Sequence, residues 1–147
     1  MNENNSPLPA FHFRVLFKGL EGISEIDSQF QSVTGIKAVR ENNPTAGSEK
    51  TAGATIFNPV ILKRGMVSPI HSVLLQWVIK SLHEPAKHFL PEVLIEILNE
   101  ESKPEIIIRL VKVSVRSWSA GDLHAEKSEL LMEELVLDYT SIELIAG

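Results

Sequence analysis

Cysteine is absent from this 147-residue chain, so neither disulfides nor thiolate-ligated metals hold its fold together. No apolar run approaches the ~20 residues that a membrane-spanning helix needs. The N-terminus, MNENNSPLPA, lacks the basic cluster and apolar stretch of a signal peptide. Synthesis in the cytoplasm is therefore expected, with release, if any, by another route. An excess of basic charge is missing too: the formal net charge is −5, and general nucleic-acid binding needs a concentrated basic face. What is present is ordinary for a globular domain. Apolar residues make up 44% and charged residues 22%, and the length suits one domain with a real core.

The hydrophobic period organises the chain. Residues 1–10 are polar, contain Pro7 and Pro9, and read as a flexible arm before a single domain over 11–147. In FHFRVLF, Phe11, Phe13, Val15 and Phe17 share one face of a predicted strand. A second extended segment, about Phe30 to Glu41, is interrupted at Gly35, where a bend is expected. The segment NNPTAGSEKTAG, residues 42–53, holds almost no large apolar side chain and reads as a long exposed loop. Pro59, in the strand-like run ATIFNPVILKR, suggests an edge position or a bulge. Ser68 as cap and Pro69 at the first position predict a helix over about 69–82. Ile70, Val73, Leu74 and Trp77 form its apolar stripe, widened by Leu75, Val78 and Ile79. Three strands complete the chain, over 92–99, 105–118 and 128–144. The last two are longer than the usual 5–6 residues, which suggests that part of each meets something outside its own core.

Charge is unevenly placed. Seven acidic residues lie between Gly121 and Gly147 against Lys127 alone, whereas Arg109, Lys112 and Arg116 oppose only Glu105 between Glu105 and Trp118. Complementary pairing of these two segments as neighbouring strands is expected.

Motifs for chemistry fail on inspection. Lys63-Arg64-Gly65 lacks the glycine-rich run and following hydroxyl residue of a phosphate loop, and reads as a solvated or intersubunit pair. The five histidines share no metal-ligand spacing, and no serine sits in a nucleophile-elbow context. Glu100-Glu101 and Glu133-Glu134 read as solvated charge, since strand neighbours point to opposite faces. Trp77 and Trp118 read as core or interface anchors. No catalysis, cofactor or metal is expected. A monomeric small-ligand barrel and a hydrolase built from scattered histidines and acids are the competing classes. The long polar loop and the missing motif argue against both.

FHFRVLFKGLEG, IDSQFQSVTGIKA, VILKRGM, LIEILNEESKP and SWSAGDLHAEKSELLMEELVLDY, in this order, resemble the tail-tube proteins of contractile phages and of extracellular contractile injection systems. The resemblance covers about Phe11 to Tyr139. It implies an antiparallel β-sandwich or barrel with one flanking helix, built into stacked six-membered rings whose bore delivers protein or DNA cargo. It further implies sheath, baseplate and spike partners, with assembly in the bacterial cytoplasm into a phage tail or a released particle. The family's long early loop corresponds to residues 42–53, where Asn42, Asn43, Pro44, Thr45, Ser48, Glu49 and Lys50 are expected to touch a neighbouring ring. Lys63, Arg64, Arg109, Lys112 and Arg116 are expected at subunit interfaces, Glu134, Asp138 and Thr140 along the lumen, and Trp77 as the helix anchor. The loop lacks the aromatic residue often found there, and TSIELIAG extends past the usual closing strand. Repeated tube subunit and tube-initiator ring both stay open.

Overall fold

The computed structural model describes residues 7–41 and 53–147. Among these described residues, nine strands and one α-helix follow in chain order: β1 Phe13–Lys18, β2 Ser32–Thr34, β3 Ala38–Arg40, β4 Thr55–Phe57, β5 Val60–Gly65, α1 Val73–His83, β6 Leu90–Leu98, β7 Pro104–Ala120, β8 Met132–Asp138 and β9 Ser141–Ala146. All pairings are antiparallel.

Two four-stranded layers share β7. The first layer runs β1-β6-β7-β9 and the second β2-β5-β8-β7. β8 and β9, separated only by Tyr139 and Thr140, follow one another down β7: Asp138 faces Ser114, and Ser141 faces Val111. The single strand expected over 128–144 is thus two. At the same row β7 turns, with Lys112 at φ 52°, a left-handed conformation unusual for a side chain with a Cβ. The inward parity changes in both strands here. Ile108 and Leu110 point inward before the turn and Val113 after it; Leu135 and Leu137 point inward on β8, and Ile142 packs against the core from β9. A bulge at Arg116 shifts β7 once more and sets Trp118 opposite Leu135. The Thr140 N–H donates to the Val111 carbonyl across the corner (2.9 Å). Tyr139 donates its hydroxyl to the Asn58 carbonyl, and burial, with the charge of Asp138 adding, pushes its pKa upward.

The core lies between the layers and under α1: Val15 and Phe17 of β1, Val60 and Leu62 of β5, Val93 and Ile95 of β6 join Leu74, Trp77 and Val78 of the helix. Trp77 is 6% exposed. The helix begins later than the sequence suggests. Pro69–His71 forms a 3-10 turn under Ser68, and Ser72 is the true cap, its hydroxyl accepting the Leu75 N–H at 3.0 Å. Ile70 therefore falls outside the stripe and is 83% exposed. Phe11 likewise precedes β1 and is exposed.

Between β2 and β3 the bend falls at Gly35, with φ +85°; a Cβ there would sit 2.5 Å from the Pro59 carbonyl oxygen. Beyond it β3 and β4 form a separate two-stranded ribbon flanking residues 42–52. Both the left-handed backbone and the close approach require glycine. Gly35→Ala is expected to cost about 2 kcal/mol or more, read as a lowered thermal midpoint; an unchanged midpoint would show that the bend tolerates a side chain.

Candidate assembly interface

Strand alternation decides the fate of the basic pair. Val60, Leu62 and Arg64 share the core face of β5, so Lys63 points out and Arg64 points in. Arg64 is 4% exposed. Its Nε donates to Glu133 Oε2 (2.9 Å), one terminal nitrogen to Asp27 Oδ1 (2.8 Å) and the other to Ser72 Oγ (2.9 Å). The intersubunit role expected for Arg64 is corrected: its guanidinium is consumed inside its own chain. Glu133, expected to be solvated, is 5% exposed for the same reason, and its second oxygen accepts the Trp118 indole N–H at 2.8 Å.

Asp27 closes the network from the 3-10 turn Glu25–Ser28. It accepts the Ser72 hydroxyl at 2.6 Å and the Leu74 N–H at 3.2 Å, and is fully buried. Phe30 lies against the guanidinium, its ring centroid 5.4 Å from Cζ. One arginine thus links the early turn, the helix start and β8, and β7 through Trp118. Two carboxylates face one cation, but the hydrogen bonds from Ser72, Trp118 and the helix N-terminus share the negative charge.

Arg109, Arg116 and Lys112 also find partners within the chain. Arg109 bridges Glu92 on β6 and Glu143 on β9 (2.7 Å to the latter), and those hydrogen bonds, that to Glu92 first, push its pKa upward. Arg116 lies 3.8 Å from Asp138, and the Lys112 ammonium 5.4 Å from the Phe89 ring centroid. The expected pairing between the basic and acidic segments is thus made by Arg109–Glu143 and Arg116–Asp138. Lys63 is exposed, directly across from Glu134 in register. Glu134 and Asp138 lie on the outer face of the second layer; Thr140 sits at the corner, its hydroxyl donating to the Val111 carbonyl (3.1 Å). Asn42, Asn43, Pro44, Thr45, Ser48, Glu49 and Lys50 lie outside the described residues.

The rim of the first layer is one surface that could meet another molecule; β2, paired only with β5 among the described residues, leaves a third, shorter edge on the second layer. Among the described residues, β1 pairs only with β6 and β9 only with β7, so each has one unpaired backbone edge. Along β1 that edge opens into a groove of about 480 Å³, its far wall made by Gly19, Leu20, Ile23, Ser24, Glu25 and Ser28. β9 carries Leu144 (74% exposed) and Ile145 beside its edge. Among the described residues no group of histidines and acids could hold a metal ion.

The family model described as T4-like virus tail tube protein gp19 matches residues 9–143. No curated protein sequence matches. Among solved structures, a chain of the anti-feeding prophage baseplate superposes with a TM-score of 0.71 at 24% identity, over 96% of this chain and 97% of that one. A chain of the sheath–tube complex of an extracellular contractile injection system (PVC) gives 0.70 at 15% identity, over 98% and 95%. Hcp1 from Salmonella typhimurium gives 0.62 at 10%, over 90% and 83%. These likenesses establish the fold.

Arg64→Met is expected to destabilise the chain by about 3–5 kcal/mol, because two buried carboxylates lose their cation. The readout is a lowered denaturant midpoint with unchanged slope. A loss under about 1 kcal/mol would show the carboxylates to be otherwise satisfied.

Proposed function

The chain belongs to the T4-like virus tail tube protein family, and on that premise we propose that its copies join edge to edge into six-membered rings that stack into a hollow tube. The observation that carries the reading is the pair of free edges on the first layer. Strands alternate in direction across β1-β6-β7-β9, so β1 and β9 run antiparallel. Continuation of the sheet from β9 of one copy to β1 of the next preserves that alternation. Backbone hydrogen bonds would supply the affinity, as in any strand addition. The edges are also complementary in side chains: Arg14 and Lys18 on β1 share the outer face with Glu143 on β9, while Val15 and Phe17 share the core face with Ile142 and Leu144. A head-to-tail contact of this kind closes into a ring when its rotation permits.

The outer face of the first layer then lines the channel. It bears Arg14, Lys18 and Arg109 against Glu92, Glu96 and Glu143, with Arg14 paired to Glu96 at 2.5 Å. With Glu105 on the same face of β7, four acids stand against three bases; the charges nearly cancel, and such a wall holds neither acidic nor basic cargo strongly. On this reading Glu134, Asp138 and Thr140 sit beside the wall rather than at its centre. Sheath, baseplate and spike proteins are the outside partners, protein or DNA the cargo, and the bacterial cytoplasm the place of assembly.

A tube-initiator ring on a baseplate is the alternative. The higher identity to the anti-feeding prophage baseplate chain than to the sheath–tube chain, 24% against 15%, favours it. Negative-stain microscopy separates the two: stacked tubes mark a repeated subunit and single rings an initiator. Lys18→Glu, at an exposed position of β1, is expected to raise the concentration needed for rings roughly tenfold while leaving the unfolding midpoint unchanged. A chain that stays monomeric with baseplate and sheath proteins present would overturn the proposal.

A further inference from the structure

We infer that Leu144 of one copy seats in the groove beside β1 of the next and fixes the register in which the two strands join; this rests on the edge-to-edge reading above. Leu144 follows the parity of Ile142, which packs against the core from β9, yet it is 74% exposed. It faces the core side of the first layer on a strand that no further strand covers among the described residues. The groove has the converse property. Phe17, Leu20 and Ile23 pack against the core and also line the groove, so it lies on the core side of the β1 edge. A strand added to that edge carries its core-face side chains into this space. The far wall is already in place, because the turn Glu25–Ser28 is tied down through Asp27 to Arg64 and Ser72. Little is left to order when a side chain enters.

Charge selects the register. Arg14 and Lys18 both line the groove, against Glu25 as its one exposed acid. Arg14 is bound to Glu96. Lys18 is exposed, and Glu92, which it faces across the strands, is taken by Arg109. Glu143 gives one oxygen to Arg109 and is half exposed, which leaves the other oxygen for a second cation. Setting Glu143 against Lys18 in an antiparallel joint places Leu144 opposite Phe17, where Leu20 and Ile23 follow. Setting Glu143 against Arg14 would place Leu144 opposite Phe13, which does not line the groove. Charge and shape thus choose the same alignment. Leu144 and the groove lie at opposite ends of the layer, so each copy gives one contact and receives one.

Two full-length variants, each blocked at one end, test the contact. Leu144→Asp spoils the inserted side chain. Ser24→Trp fills the groove, at an exposed position whose side chain makes no capping bond. Both positions are exposed, so unfolding midpoints equal to the parent's are expected. Either variant alone is expected to need a roughly hundredfold higher concentration than the parent to form rings. Leu144→Met, which keeps the apolar insert, is expected to form them at the parent's concentration. Mixed in equal amounts, the two blocked variants are expected to sediment as dimers and grow no further. Only the Leu144 of one and the open groove of the other can then meet. Rings from either blocked variant at the parent's concentration, or a mixture that stays monomeric, overturn this contact; rings from the parent in the same experiment spare the tube reading. A parent that forms no rings with baseplate and sheath proteins present overturns the tube reading, and dimers from the mixture would still uphold the contact.

Discussion

The Arg64 guanidinium, held between Asp27 and Glu133 in the interior, is the interaction on which the rest of the architecture depends. Buried ion pairs contribute little net stability when compared with apolar replacements, yet breaking one leaves a charge in a medium that cannot solvate it. Here the arrangement forces geometry. The turn at 25–28, the start of α1 and β8 must converge, because each supplies a group that Arg64 binds, and Trp118 of β7 binds Glu133 in turn. A lysine could not replace it, since three directed bonds leave the planar fork of one side chain.

This internal closure explains how one chain can be complete in its core and incomplete at its rim. The second layer, α1 and the early turn satisfy each other around Arg64. The first layer satisfies its faces but not its ends. Its outer face is locked by Glu92, Arg109 and Glu143 across three strands, which stiffens the sheet without blocking β1 or β9. A stiff sheet with two open edges suits joining to copies of itself, because little conformational entropy is left to lose on association.

Much of this could be read from the residues. Gly35 marked the bend between β2 and β3, and the charge asymmetry anticipated the segment pairing made by Arg109–Glu143 and Arg116–Asp138. Arg64 was misplaced for an identifiable reason. Val60, Leu62 and Arg64 share parity, so alternation already pointed the guanidinium inward; its charge argued the other way, and the partners that make burial tolerable are 37 and 69 residues distant. Asp27 carried no local signal, since a four-residue 3-10 turn has no period to read. The division of β8 from β9 was recorded only as a change of inward parity, odd through Leu137 and even at Ile142, which looks like one long strand unless the parities are followed. The edges left unpaired are invisible to sequence altogether, because they depend on which strands end each layer.

The central claim is that β1 and β9 of different copies complete one another. Amide hydrogen exchange, compared between monomer and assembled particle, tests it most directly. The account expects residues 13–18 and 141–146 to gain strong protection on assembly, while β5, already paired on both sides by β2 and β8, changes little. Unchanged exchange along β1 and β9 in intact particles would contradict it.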